Sequence, residues 1–245
     1  MKIIKDIFGR IWALWGIISF VVTFLLIFIP SMITYLVPDP KGQDIFIKIS
    51  RLWMFVWLRM VGCPLKVRGK EYFAKNTAYI VPCNHNSMLD IPISCPFIPG
   101  GNKTIAKKSF TKVPLFGWFY RKGAVLVDRK NESSRRKSFE EMKKVLSVGM
   151  HMSIYPEGTR NRTDEPLKKF HDGAFKLAVA TNTSIIPAVI LHSKKALPLN
   201  KFFYFIPHKL EMHFLEPIPV AEQTSDQLKE KVFEIMKAYY IQHNG

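Results

Sequence analysis

Cysteine is scarce in this chain of 245 residues, which contains only Cys63, Cys83 and Cys95. The three are not arranged as a CxxC pair, and they do not cluster with histidines. An odd number at this spacing argues against a disulfide framework and against a zinc site, so we expect no bound metal. The same scarcity favours a reducing environment, with the globular part of the chain facing the cytosol.

Acidic residues are also few, because 36 Lys and Arg stand against 19 Asp and Glu and give a net charge of +17. Such a balance points to a polyanionic partner: a nucleic acid, an anionic membrane surface or a phosphorylated substrate. The chain has no zinc-finger or RNP-type pattern, and its N-terminus is strongly apolar. We therefore expect a lipid surface as partner and no nucleic acid.

Charge is missing altogether from Ile11 to Val37. Roughly 20 apolar residues suffice for a helix to cross a bilayer, so this stretch is long enough. It is too long for a cleaved signal peptide and is followed by no A-x-A-like site. Pro30 is expected to break or kink the helix near its end. Lys2, Lys5 and Arg10 precede the stretch and favour a cytoplasmic N-terminus.

A second N-terminal segment, Ile45 to Gly62, has a basic side and an aromatic side at helical spacing. The basic side carries Lys48, Arg51 and Arg59, and the opposite side carries Phe46, Trp53, Trp57 and Met60. That pattern predicts a helix lying in the membrane interface. Residues 1–65 are thus expected to form a membrane-anchoring helical hairpin that enters one leaflet or spans and returns. The catalytic domain, residues 66–245, then lies on the cytoplasmic side of the membrane.

From residue 66 onward, short apolar runs alternate with amphipathic stretches, which indicates an α/β domain. Strands are predicted at Ala78–Cys83, Ala124–Val127, Met152–Tyr155 and Ser184–Leu191. A helix is predicted over residues 132–149, and Thr224 to Gln227 form a capping-box pattern that starts a C-terminal helix.

The sequence Asn84 to Asp90, NHNSMLD, directly follows a predicted strand, where catalytic loops of α/β sheets often lie. His85 is a candidate general base because imidazole titrates near neutral pH. Asp90 is placed so that a turn could bring its carboxylate to the other ring nitrogen. The alternative is a hydrogen-bonded loop histidine followed by an aspartate that caps a helix, with Pro92 in its first turn.

The sequence Tyr155 to Arg162, YPEGTRNR, also follows a predicted strand. Gly158 allows a tight turn, and the guanidinium groups of Arg160 and Arg162 suit phosphate oxygens. Glu157 could receive a substrate hydroxyl or orient Arg160. The alternative is a solvated polar turn.

In this order, the blocks NHNSMLD, GAVLVDR, YPEGTR and IIPA resemble those of the glycerolipid acyltransferase family, which includes 1-acylglycerol-3-phosphate acyltransferases. Tyr155, His171 and Ala188 depart from the usual family residues. The resemblance implies an α/β fold with a mixed sheet flanked by helices. It also implies that His85 deprotonates the acceptor hydroxyl, that Asp90 orients His85 and that Pro187 shapes the pocket. Binding of the glycerol-phosphate part is implied for Arg129, Glu157, Gly158, Thr159 and Arg160.

The same resemblance implies a membrane-bound enzyme that acylates 1-acylglycerol-3-phosphate to phosphatidic acid. The donor would be acyl-CoA or acyl-ACP (acyl carrier protein), used as a co-substrate without a further cofactor. Glycerol-3-phosphate or another lysophospholipid remains an alternative acceptor. A hydrolase of membrane thioesters or phosphoesters is an alternative of another class, although no G-x-S-x-G serine motif is present. A non-catalytic basic membrane adaptor is a further alternative, but it would not require the NHNSMLD and YPEGTR blocks.

Overall fold

The computed structural model describes residues 2–128 and 130–244 and begins with two long helices. Helix α1 spans Lys2–Ile33, helix α2 spans Lys41–Met60, and the two pack against each other as the predicted hairpin. Helix α1 runs through Pro30 but ends within one turn of it, as expected for a proline that interrupts a helix near its end.

The aromatic face of α2 is directed into the protein rather than toward a membrane. Phe46, Trp53 and Trp57 are buried. The Trp53 ring lies 4.8 Å from that of Phe20 on α1, and its Nε1 donates a hydrogen bond to Thr23. The prediction that this face lies in the membrane interface is therefore wrong for these three side chains. The spacing identified an apolar face correctly, but α1 and the rest of the protein cover it.

Seven short strands follow the hairpin in the described part of the chain. They are β1 (Leu65–Arg68), β2 (Ile80–Pro82), β3 (Asn102–Lys107), β4 (Ala124–Val127), β5 (His151–Ile154), β6 (Ala188–Leu191) and β7 (Leu210–Phe214). Strands β2, β5, β3 and β4 pair in that order, and all are parallel. In the other group, ordered β1, β7, β6, strand β7 is parallel to β1 and antiparallel to β6.

Isolated bridges join the two groups, because Ile80 pairs with Ile185 and Cys83 with Ala188 in parallel. The predicted mixed sheet is thereby confirmed. All four predicted strands are present, but the last begins four residues later than expected, at Ala188 rather than Ser184. Pro187 lacks the N–H that a ladder requires, so regular pairing starts only after it.

Among the residues that the structure describes, six further helices flank the sheet. They are α3 (Asp90–Ser94), α4 (Phe116–Lys122), α5 (Glu132–Ser147), α6 (Gly173–Thr181), α7 (Ser193–Ala196) and α8 (Ser225–His243). Short 3-10 helices lie at Thr34–Leu36, Lys70–Tyr72, Cys95–Phe97 and Lys108–Lys112. The predicted helix over 132–149 and the capping box at Thr224 are both confirmed.

Two clusters of buried side chains fill the space between the helices and the sheet. One joins α5, α6 and α8 to the sheet, and includes Met142, Phe175 and Met236. The other contains Trp57 of the hairpin together with Ile93. The hairpin thus shares a core with the remainder of the chain, and the division at residue 65 stays a prediction.

The strand directions place several loops at one edge of the sheet. Strands β2, β5, β3 and β4 are parallel, so their carboxyl ends meet at the same edge. The loop with His85 follows β2, and the loop with Glu157 follows β5. The two polar motifs are therefore neighbours because of the topology, although they are far apart along the chain.

Candidate active site

His85 and Asp90 form a side-chain pair at this edge of the sheet. Nδ1 of His85 lies 2.8 Å from Oδ2 of Asp90. The Asp90 side chain is fully buried, whereas the imidazole is 14 % exposed. When the carboxylate accepts a hydrogen bond from Nδ1–H, Nε2 is unprotonated and can act as a base.

The Asp90 carboxylate also organises the backbone that carries the histidine. Its Oδ2 accepts the backbone N–H groups of Asn86 at 2.6 Å and Ser87 at 2.7 Å, while Oδ1 is buried with no hydrogen-bond partner among the described residues. Leu89 is the N-cap of α3, and Asp90 is the first residue of that helix. The alternative role of Asp90 as a helix cap is thus wrong, because the donors it accepts precede the helix.

Three side chains of the same loop fix it to distant parts of the chain. The amide of Asn84 exchanges two hydrogen bonds with the backbone of Ile190 on β6, at 2.9 and 2.6 Å. Ser87 donates its hydroxyl to the carbonyl of Leu197. Asn86 donates its side-chain N–H to the hydroxyl of Tyr240 on α8 at 3.1 Å. The imidazole is therefore presented by a loop with little freedom to move.

Glu157 supports this loop from the neighbouring strand. The residue is 1 % exposed, and its Oε1 accepts the backbone N–H of His85 at 2.7 Å. Its Oε2 accepts the backbone N–H of Lys168 at 3.0 Å. Burial raises the pKa of this carboxyl to about 7, and the two amides only partly oppose that. Binding of the acceptor by Glu157 stays a prediction, whereas its contacts are those of a residue that positions the histidine.

A basic cavity of about 440 Å³ lies beside the turn that follows Glu157. It is lined by Thr159, Arg160, Arg162, Thr163 and Lys168. Asn161, between the two arginines, donates its backbone N–H to the carbonyl of His85 at 2.6 Å, so this turn is hydrogen-bonded directly to the loop that carries the imidazole. Gly158 adopts a φ of +72°, which fits the tight turn predicted there.

Lys168 is a site residue that the sequence did not single out. Its Nζ donates to the hydroxyl of Thr159 at 2.7 Å, on the wall of the basic cavity. The only local signal was its position before the FHDGAF block, and any exposed lysine shows as much. Lys168 is brought to the site because its backbone N–H is held by Glu157.

Two remaining predicted residues lie around the site. Pro187 is buried just before β6, and its carbonyl accepts the N–H of Leu215. It therefore shapes the strand beside the loop that carries His85. Arg129 lies outside the described residues, so its predicted contact with the acceptor is not placed; Asp128, the residue before it, follows β4 at the same edge of the sheet.

Tyr155 carries a hydroxyl that its phenylalanine counterpart in the family pattern would lack. The centre of its ring lies 4.5 Å from that of the His85 imidazole. Its hydroxyl is 2.5 Å from Oγ of Ser94 on α3, and burial raises the pKa of the phenol. This pair ties the end of β5 to the helix that begins at Asp90.

Metal-binding groups are dispersed in the part of the chain that the structure describes. Within residues 2–128 and 130–244, no three His, Cys, Asp or Glu side chains gather where they could hold a metal ion. Cys63, Cys83 and Cys95 are free thiols, and burial raises the pKa of each.

Known proteins resemble this chain over most of its length. Residues 64–191 match the family profile described as Acyltransferase. A 1-acyl-sn-glycerol-3-phosphate acyltransferase from Cocos nucifera is 32 % identical over 78 % of this chain and 60 % of its own length. One from Saccharomyces cerevisiae is 33 % identical over 74 % of this chain and 60 % of its own length. This chain therefore spans about 60 % of the length of these two relatives.

One solved structure shares nearly the whole architecture. The 1-acyl-sn-glycerophosphate (LPA) acyltransferase from Thermotoga maritima superimposes with a TM-score of 0.80 over 99 % of this chain and 97 % of its own. The two sequences are 22 % identical, so the likeness concerns the fold.

Proposed function

This chain belongs to the Acyltransferase family, and from that premise we propose that it acylates 1-acylglycerol-3-phosphate to phosphatidic acid. The donor is a fatty acyl thioester, acyl-CoA or acyl-ACP, which acts as co-substrate. The observation that carries the proposal is the His85–Asp90 pair on a loop that is hydrogen-bonded to the turn of an arginine-lined cavity. The relatives from Cocos nucifera and Saccharomyces cerevisiae, both 1-acyl-sn-glycerol-3-phosphate acyltransferases, support the choice of acceptor.

The chemistry assigned to the pair is general-base catalysis. Nε2 of His85 accepts the proton of the acceptor hydroxyl while the hydroxyl oxygen attacks the thioester carbonyl. A new C–O bond forms and the C–S bond breaks, and the proton passes from the imidazole to the departing thiolate. Asp90 holds the ring in the required tautomer and stabilises the imidazolium that forms.

The basic cavity is assigned to the phosphate of the acceptor. Arg160 offers a planar pair of donors to phosphate oxygens, and Gly158 and Thr159 lie on the same turn. Arg129, whose role is implied by the family resemblance alone, is proposed as a further ligand. Glu157 acts indirectly, by holding the backbone of His85 and Lys168.

Membrane attachment is assigned to α1. The span Ile3–Leu36, which comprises nearly all of α1 and the short 3-10 helix after it, is long and apolar enough to cross a bilayer. Large apolar side chains of this helix are exposed, including Leu14, Ile18, Val22, Leu25, Leu26 and Ile29. Such a strip is costly in water and favourable in lipid. We place α1 in the membrane and the catalytic part on its cytoplasmic side.

An acceptor panel tests the reaction. Purified protein would receive acyl-CoA or acyl-ACP with lysophosphatidic acid, glycerol-3-phosphate or other lysophospholipids, and products would be identified by mass. We expect phosphatidic acid as the main product and none from the His85→Ala protein, folded as judged by circular dichroism. Release of free fatty acid at the same rate with and without acceptor would instead identify a thioester hydrolase.

A further inference from the structure

A second apolar surface with basic flanks lies outside the N-terminal hairpin, on residues 107–121. The exposed apolar side chains of this segment are Phe110, Val113, Leu115 and Trp118. The basic side chains exposed beside them are Lys107, Lys108, Lys112 and Arg121. No acidic residue occurs between Asp90 and Asp128, so this stretch is uniformly positive. We call residues 107–121 the β3–α4 segment.

The β3–α4 segment is a fixed structure that rests on α1. The Trp118 ring stacks on that of Phe28 at 6.3 Å, and its carbonyl accepts the hydroxyl of Tyr35 at 2.8 Å. Phe116 and Phe119 of α4 pack against Phe24. Through Trp118, the exposed apolar side chains of the segment adjoin the apolar side chains of α1.

Scattered exposed apolar side chains are normal on protein surfaces, so their number alone decides nothing. Here four lie within nine residues and are held outward by a turn in which Gly117 donates its N–H to Val113. Leu115 occupies the left-handed region, with a φ of +58°, and is exposed. Apolar tips surrounded by lysines match a bilayer surface with anionic headgroups, because the tips enter the acyl boundary and the ammonium groups meet phosphates.

We infer that the β3–α4 segment is a second membrane contact, which inserts Phe110, Val113, Leu115 and Trp118 into an anionic lipid surface. This inference rests on the proposed attachment of α1 to the same membrane. The segment begins where β3 ends, at the edge of the sheet that carries His85. Its insertion turns that edge toward the bilayer and gives the imidazole access to an acceptor that stays in the leaflet.

Depth measurements on the full-length protein test the contact directly. Spin labels at Phe110→Cys and Val113→Cys would be compared with Leu26→Cys on α1 and with Val148→Cys and Ile241→Cys, which are exposed on other faces. Labelling must be referenced to the unsubstituted protein, because Cys95 is partly accessible. In phosphatidylcholine–phosphatidylglycerol vesicles, we expect positions 26, 110 and 113 to collide with oxygen and positions 148 and 241 with aqueous nickel chelate.

The outcomes separate this inference from the function it rests on. Aqueous readings at 110 and 113 with a lipid reading at 26 would overturn the second contact and leave the attachment of α1 intact. An aqueous reading at 26 as well would overturn both.

A charge reversal adds a functional measurement. Lys108→Glu with Lys112→Glu should lower the rate on acceptor in anionic vesicles by at least about tenfold, since two attractive charges become repulsive. The rate in neutral detergent micelles should not change. Lys137→Glu with Lys144→Glu on the outer side of α5 is the matched control and should leave both rates unaltered. Loss confined to acyl-ACP as donor, in micelles, would identify a carrier-protein dock and refute the lipid contact.

Discussion

At the scale of single residues, the site depends on two buried carboxylates that are satisfied in different ways. Oδ2 of Asp90 contacts the imidazole and accepts two backbone amides, while Oδ1 has no partner in the part of the chain that the structure describes. Each oxygen of Glu157 takes one backbone N–H. One side chain therefore acts on the ring of His85, and the other acts on its backbone.

Asp90→Asn should separate charge from shape. The amide oxygen can replace Oδ2, and the amide nitrogen can occupy the unpaired side of Oδ1, so the loop should keep its form. The imidazolium loses its balancing charge, and we expect kcat to fall by about 10²–10⁴-fold. Steady-state rates and thermal unfolding in detergent check this. Near-normal turnover by the folded variant would contradict the role assigned to Asp90.

Arg160→Lys should show whether the basic cavity recognises phosphate. A lysine keeps the charge but cannot form the planar pair of hydrogen bonds, so we expect a loss of about 1.5–3 kcal/mol, or roughly ten- to a hundred-fold in kcat/KM. The loss should occur with acceptors that carry a phosphate monoester. A matched acceptor without phosphate should react slowly with both proteins. Equal losses on both acceptors, with lowered stability, would mean that Arg160 only braces the turn.

At the scale of elements, α8 and strands β2 and β5 support the site from outside it. Helix α8 contacts the loop that carries His85 through the hydroxyl of Tyr240, which accepts a hydrogen bond from Asn86. Strand β5 begins at His151, whose Nδ1 accepts the backbone N–H of Tyr79 just before β2. Both contacts join elements distant in sequence, and each can be altered by removing one polar group.

Tyr240→Phe should loosen the loop that carries His85 without changing any contact of the imidazole itself. Asn86 loses its acceptor, so we expect a stability loss of about 1–2 kcal/mol and a several-fold decrease in kcat. Tyr239→Phe on the same helix is the control, because its hydroxyl contacts His213, away from the loop. It should lower stability while kcat stays normal. Equal effects of the two variants on kcat would remove the specific role of Tyr240.

His151 should make stability depend on pH. The residue is 6 % exposed, and burial lowers its pKa to about 4 from an ordinary value of 6.5. The unfolded chain therefore binds the proton first as pH falls. The stabilising contribution is complete above pH 6.5 and is lost as the pH falls toward 4. The resulting decrease in the free energy of unfolding is about 2.5 kcal/mol at pH 4.5.

Thermal unfolding between pH 7 and 4.5 measures this effect. The wild-type protein should lose more stability over that range than His151→Gln, whose amide oxygen can still accept from Tyr79. Other groups titrate in both proteins alike, so only the difference between their slopes is used. Parallel slopes would contradict the burial of a neutral imidazole at this position.

At the scale of the whole molecule, the hairpin is both the proposed anchor and a wall of the core. Trp53 and Trp57 are buried with Phe24, Ile93 and Phe205 in one cluster. A detachable anchor would leave the catalytic part with a polar surface on its removal. Here removal would expose an apolar surface that is covered in the intact chain.

Deletion of residues 1–65 should therefore impair folding rather than yield a soluble domain. Loss of several buried aromatic side chains, each worth about 3–5 kcal/mol on truncation, exceeds the stability of an ordinary domain. We expect the truncated chain to aggregate or to lack near-ultraviolet circular dichroism. Leu14→Ala with Leu26→Ala, both exposed on α1, is the control and should leave folding intact. A folded, soluble truncation would show that the core is divided at residue 65.

The sequence by itself determined the elements and the local chemistry. Apolar spacing predicted the two N-terminal helices, the four strands and the capped helices, since each depends on residues a few positions apart. The His85–Asp90 pair was also predictable, because one short turn separates the two residues.

Only the tertiary structure decided which surfaces meet. Glu157 and His85 are 72 residues apart, and Asn86 and Tyr240 are 154 apart. Their contacts arise from strand order and helix packing, which no local pattern specifies. For the same reason, the aromatic face of α2 was recognised as apolar but assigned to the membrane. Spacing shows which side of a helix avoids water, and only the packed chain shows whether protein or lipid covers it.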